Sequence, residues 1–365
     1  MKIYPVPMVP GPVQVPPQIL QAYLTDYGSA DLEPEYLDLY RQTQTGLQQI
    51  FATNNDIAIM SGEGMLALWG ALKSCIVPGD RVLAVATGVF GFGIGDMARS
   101  IGAEVRTVGY EYDQTISRCE EIEQAIVEFR PKMITAVHCE TPSGTLNPIA
   151  PLGQLKERHG VPLLYVDAVA SAGGAPVRTD QWHVDLMLGG SQKVLSAPPG
   201  MSMVAISEQA WEIIEQVDYQ GYDALKPFRT ALDNAYFPYT PYWQGLAALH
   251  VGVQILLAEG LDNVFTRHAM IAAFCRKQLA AMGIRIFPST EATPSPTVTA
   301  AYVPEQLTWP EFDRRLREQG LVTGGSYGPL AGKVFRLGHM GSQADLGLVK
   351  QALRIIEKVC ETLET

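Results

Sequence analysis

Cysteine is scarce in this chain and poorly arranged for cross-linking. Cys75, Cys119, Cys139, Cys275 and Cys360 are scattered, odd in number and never in Cys-x-x-Cys spacing. That argues against a disulfide framework or a zinc ribbon and suits reduced thiols in a cytoplasmic protein. The histidines lack metal-ligand spacing, so no metal is expected. Clusters of Lys and Arg are also missing, and the formal net charge is −11. Nucleic acid and anionic membrane surfaces are therefore not expected partners. No apolar run is long enough to span a bilayer, and the proline-rich start does not read as a signal peptide. Internal repeats and low-complexity tracts are absent.

What is present is enough for a large core: 365 residues, 47% of them hydrophobic. Residues 1–16 hold too much proline for helix, which predicts an extended segment lying over the surface or reaching a partner subunit. Apolar residues then recur at helical spacing over 35–51. Beyond that, strand candidates at 57–60, 82–86, 133–137, 163–166, 186–188 and 203–206 alternate with helix candidates at 64–76, 91–101, 119–129 and 149–159. Such alternation predicts an α/β domain, a mostly parallel sheet flanked by helices, over residues 17–255. Past that point the texture changes. Helices at 263–282 and 310–319, strands at 297–303 and 333–337 and a final helix predict a smaller C-terminal α+β domain over 256–365.

Two strand ends carry chemistry. The stretch 163–167, Leu-Leu-Tyr-Val-Asp, is a buried-strand pattern ending in Asp167. Ligands in open α/β sheets bind beyond the carboxyl ends of strands, where an aspartate can hold a proton on a ring nitrogen. By itself Asp167 reads equally as a turn or cap residue. The stretch 185–193, Asp-Leu-Met-Leu-Gly-Gly-Ser-Gln-Lys, ends in Lys193 beside two glycines that let a planar ligand approach. Desolvation there lowers the amine's pKa and makes it a nucleophile toward an aldehyde. An isolated lysine would read as a snorkelling surface residue. The near miss to a dinucleotide fingerprint at 91–95 lacks its third glycine.

Several motifs in one order carry a resemblance. They are Gly11-Pro12 with Pro16-Pro17, His-Cys-Glu-Thr-Pro-Ser-Gly-Thr at 138–145, Val-Asp-Ala-Val at 166–169, Gly-Ser-Gln-Lys at 190–193, Ala-Pro-Pro-Gly at 197–200 and Arg-Leu-Gly-His-Met-Gly at 336–341. Nearly end to end, the chain resembles the class V aminotransferases of the fold-type I, pyridoxal-phosphate-dependent group. The resemblance implies that Lys193 binds a pyridoxal ring as a Schiff base and moves the substrate proton, while Asp167 pairs with the pyridine nitrogen. It implies that Phe90 stacks on the ring, unless it is a core residue, and that Thr141 bonds the ring's phenolic oxygen. Gln192 precedes the lysine within the ring site, and Arg336 grips a substrate carboxylate. Small-molecule partners follow: an amino donor and a 2-oxo acid. So does a homodimer or homotetramer with shared active sites, Thr240 reaching the neighbour's ligand. Cysteine desulfurases share the fold class but need a catalytic cysteine in a C-terminal loop, and none lies between Cys275 and Cys360.

Two departures matter. The family's phosphate-binding turn reads Ser-Gly, then Ser or Thr, then Gly; here it is Ser61-Gly62-Glu63-Gly64. Two unit charges ~4 Å apart repel by about 4 kcal/mol at an effective dielectric near ~20, and a phosphate carries nearly two. Glu63 therefore either turns to solvent, or accepts the helix's free amides itself, or receives a neutral hydroxymethyl group. Where the family has Tyr-His-His-Thr, this chain has Phe-Pro-Tyr-Thr at 237–240, so Phe237 lacks the hydroxyl. Both departures are similar to the branch of the family that converts free pyridoxamine and pyruvate into pyridoxal and L-alanine, a step of vitamin B6 degradation. In that branch pyridoxal is a substrate rather than a resident cofactor. It carries an extra arginine where this chain has Tyr327, a candidate substrate-binding residue. The alternative is pyridoxal 5'-phosphate chemistry on alanine or serine with glyoxylate or pyruvate.

Overall fold

A computed structural model describes residues 3–361 of the chain; residues 1 and 2 of the predicted N-terminal segment lie outside the described residues. In chain order the strands are β1 (Val6–Pro7), β2 (Asp56–Ser61), β3 (Arg81–Ala86), β4 (Glu104–Gly109), β5 (Met133–Val137), β6 (Cys139–Glu140) and β7 (Thr145–Leu146). Then come β8 (Leu163–Asp167), β9 (Leu186–Gly190), β10 (Met201–Ile206), β11 (Val298–Tyr302), β12 (Leu321–Val322), β13 (Gly324–Gly325) and β14 (Val334–Gly338).

Seven strands form the main sheet in the order β2-β10-β9-β8-β5-β3-β4. All neighbours from β9 to β4 pair in parallel, and β10 alone runs against both of its partners. Parallel strands are covered by helices on both faces and so read as continuous apolar runs. The burial follows that logic. Ile134, Ala136, Leu164 and Val166 face one core, while Met133, Val137, Leu163 and Tyr165 face the other. β4 is the strand that the apolar runs did not predict. It is an edge strand, and its Glu-Val-Arg-Thr-Val-Gly pattern is only partly buried.

The later part of the chain builds a second sheet, β11-β14-β13, with helices Leu261–Ala281, Trp309–Glu318 and Leu346–Glu361 around its own apolar core. Among the described residues no single helix is long and apolar enough to cross a membrane.

The N-terminal segment is extended, as its prolines require, but it neither lies loose on the surface nor reaches away from its own chain. β1 pairs in parallel with β12. Val6 and Met8 are buried in the C-terminal core, and their amides donate to the carbonyls of Gly320 and Val322. Apolar residues alternating with proline give the strap one greasy edge and one edge free of donors. Gly338 makes the fit possible: a Cβ there would lie 2.3 Å from the Val9 carbonyl oxygen and 2.5 Å from Pro10 Cα.

Candidate active site

The carboxyl ends of β2, β3, β5, β8 and β9 meet around one cavity of ≈ 180 Å³. Its walls include Lys193, Asp167, Glu63, Phe90 and Thr141, five residues drawn from five separate stretches of sequence. Gly64, Met65, Leu68, Cys139, Val169 and Ala170 complete the lining. Of these, Leu68 and Ala170 lie outside every motif read from the sequence, whereas Cys139 and Val169 lie inside two of them.

Lys193 sits in the turn that follows β9. Its Nζ donates to the carbonyl of Pro10 at 2.6 Å, so the N-terminal strap supplies its partner. Gly11 is backed against the same side chain: a Cβ there would stand 2.6 Å from Nζ, and its φ of +92° already favours glycine. Burial drives the lysine down to about 8, and the nearby Arg336 charge pushes the same way. Cys139, Glu63 and Asp167 oppose the shift without cancelling it.

Asp167 ends β8. One oxygen, Oδ1, accepts the Val169 amide at 2.8 Å; the other has no hydrogen-bond donor among the described residues. Burial raises its carboxyl to about 6 against the lowering effects of that amide and of Lys193. A buried acid with one free oxygen facing a flat-ligand cavity suits a protonated ring nitrogen.

Glu63 resolves the question raised by the unusual turn. It does not point to solvent. It is the N-cap of the helix Gly64–Cys75, and its Oε2 accepts the Met65 amide at 2.9 Å. Its Oε1 accepts a hydrogen bond from Gln192 Nε2. The carboxylate thus fills the anion site of the helix and binds the residue beside the lysine. Gly190 leaves room for Gln192: a Cβ there would sit 2.7 Å from its Oε1. The start of that helix is thus capped within the chain by a carboxylate rather than by a hydroxyl.

Arg336 comes from β14 in the second sheet and is almost wholly buried. Its Nε donates to the Gly325 carbonyl at 2.8 Å, and its guanidinium lies 4.5 Å from the centre of the Tyr327 ring. Burial lowers its pKa from the ordinary arginine range. Tyr327 is 53% exposed and does not line the cavity; it caps Arg336 from outside. Thr240 is exposed and does not line this cavity in its own chain. Phe237 packs against Tyr36 and Tyr40 of the same chain, with ring centres 5.5 and 5.2 Å apart. His339 is buried, its Nε2 2.7 Å from Thr299 Oγ1, as expected of a structural residue.

The sequence did not single out Glu140, which is fully buried and accepts the amides of Phe90 and Gly91. Nor did it single out Tyr239, whose hydroxyl accepts the Ser61 amide at 2.9 Å. Glu140 lay inside a quoted motif, but a contact 50 residues away leaves no local trace.

The profile of the family "aminotransferase class-V" matches residues 10–328. The chain is 34% identical over 339 residues to an uncharacterized aminotransferase of Methanocaldococcus jannaschii, covering 92% of this chain and 87% of that one. It is 31% identical over 345 residues to the pyridoxamine–pyruvate transaminase of Mesorhizobium japonicum, covering 92% and 86%. The solved structure of an alanine–glyoxylate aminotransferase from Nostoc sp. matches with a TM-score of 0.93 at 30% identity, over 98% of this chain and 96% of that one.

Proposed function

The chain belongs to the class-V aminotransferases, and from that premise we propose that it transfers the amino group of free pyridoxamine to pyruvate, giving pyridoxal and L-alanine. One observation carries the choice of the unphosphorylated vitamer. The Glu63 carboxylate already occupies the helix N-terminus where a phosphate would need backbone amides, and Gln192 holds it there. A dianion arriving at this spot meets a negative charge and an amide already bonded. A neutral hydroxymethyl group meets a good acceptor.

When bound, the pyridine ring supplies an electron sink for the carbon that loses its proton. Asp167 keeps the ring nitrogen protonated through its free oxygen. The Lys193 amine, lowered to about 8, is the nucleophile toward the aldehyde and the carrier of the proton. Lys193 leaves the Pro10 carbonyl when it acts. Phe90 covers one face of the ring, and the Thr141 hydroxyl meets the phenolic oxygen. Arg336 binds the carboxylate of the 2-oxo acid, with Tyr327 shielding its outer side. Thr240 serves the neighbouring subunit's site, which requires at least a dimer.

The deciding assay mixes purified protein with free pyridoxamine and pyruvate, without phosphate ester. Pyridoxal and alanine should form in equal amounts. Stoichiometric retention of pyridoxal 5'-phosphate with no turnover of pyridoxamine overturns the proposal in favour of ordinary aminotransferase chemistry.

A further inference from the structure

Two buried acids stand beside the cavity, and the reaction uses only Asp167. The other, Glu140, lies between Cys139 and Thr141, which both line the cavity. Its carboxylate turns away from the ligand space, toward the start of the helix Val89–Ser100. There Oε1 accepts the Gly91 amide at 2.6 Å and Oε2 accepts the Phe90 amide at 3.2 Å. No cation pairs with Glu140 among the described residues, so these two amides are its only compensation for burial.

The flanking glycines are cut to this carboxylate. A Cβ at Gly88 would lie 2.7 Å from Glu140 Cδ, and one at Gly91 would lie 3.2 Å from its Oε1. An ordinary helix start would be capped by a serine or aspartate at the position of Gly88, at little cost. Here the cap arrives instead from a strand end 50 residues away, and it arrives next to Thr141. Burying a carboxyl for this purpose is expensive, which argues that the link itself is what matters.

We propose that Glu140 is a positioning residue that locks Phe90 to Thr141, so that the aromatic face and the hydroxyl receiving the pyridoxal ring keep one fixed spacing. The inference rests on the reading of the Lys193 cavity as the ring site.

The test is a double-mutant cycle of Glu140→Gln and Phe90→Ala in the full chain. Pyridoxal capture at Lys193 is followed by absorption and induced circular dichroism, alongside the thermal midpoint. Glutamine keeps the shape but turns an amide donor toward two amide donors. Glu140→Gln should weaken pyridoxal binding and raise the pyridoxamine KM by about tenfold, the scale of an aromatic contact, and reduce the dichroism. The pyruvate KM, set at Arg336, should stay within about twofold. Glu140→Asp, which retains the acceptor, should recover part of the loss. In the Phe90→Ala background Glu140→Gln should have no further effect, because both act through one contact.

Wild-type affinity in Glu140→Gln, or additive effects in the cycle, overturns the inference. So does a parallel rise in both KM values with a fallen thermal midpoint, the mark of a merely structural role. If Glu140→Gln does not fold, the cycle is run with Glu140→Asp and read by the same criteria. A wild-type protein with no chromophore at Lys193 sinks the ring site and this inference together. A chromophore indifferent to Glu140 sinks the inference alone.

Discussion

Arg336 lies close enough to Lys193 to bear on its chemistry. With Lys193 at about 8, roughly one amine in ten is neutral at pH 7, against about one in three thousand for an ordinary lysine. Capture of pyridoxal should therefore rise with pH to a half-maximal rate near 8, measured by stopped-flow absorption. Arg336→Gln removes the second cause of the depression and should move that midpoint upward while weakening pyruvate binding. Glu63→Ser should raise affinity for pyridoxal 5'-phosphate by roughly tenfold; the carboxylate is partly exposed, so screening trims the full Coulomb figure. Unchanged affinity in a binding titration removes Glu63 from the specificity argument. Glu140 has a separate linkage effect. Burial raises its carboxyl to about 7 in the folded protein. A raised acid contributes stability that is full below its unfolded pKa and is lost as pH rises through the folded one. The gap in thermal midpoint between wild type and Glu140→Gln should thus widen as pH falls from 7 toward 5. Asp167 and Lys193 stood out in the sequence because one ends an apolar strand, the other follows one beside two glycines, and both lie inside motifs that carry the family resemblance. Glu140 was not, because its partners at Phe90 and Gly91 lie far along the chain.

The elements that position the site were legible to different degrees for physical reasons. Strands buried on both faces, such as β5 and β8, announce themselves as apolar runs. The edge strand β4 does not, since most of it is only partly buried. Periodicity also carries no direction, so the antiparallel course of β10 could not be read from it. The strap was read as extended but not as buried, because its pairing partner β12 lies over 300 residues away. Gly338 tests how tightly that strap must sit. In Gly338→Ala the new methyl meets backbone at Val9 and Pro10, which cannot rotate aside. Overpacking of this kind costs ~1–3 kcal/mol. The variant should show a lower denaturation midpoint and slower pyridoxal capture, because Pro10 and Lys193 lose their registry. A midpoint equal to wild type would mean the strap yields without cost.

At the scale of the whole molecule, the proposed active site draws on both sheets. Asp167 and the turn holding Lys193 belong to the seven-stranded sheet, and Arg336 belongs to the three-stranded one. The proposed dimer adds a third source, Thr240, which one chain exposes but does not use. A mixture of Lys193→Ala and Thr240→Ala chains, each impaired alone, should regain activity as hybrids assemble, since one site in each hybrid is then intact. No recovery on mixing, with mass measurement confirming hybrid assembly, would place Thr240 outside the site. The strap adds one more consequence. Residues 6–8 are gripped by the C-terminal core, while Pro10 two positions on receives the lysine. Residues 6–10 are thus packed into the fold rather than left as a loose tail. Loosening residues 6–10 would therefore damage chemistry and stability at once, because one short stretch both seals the C-terminal core and receives the lysine.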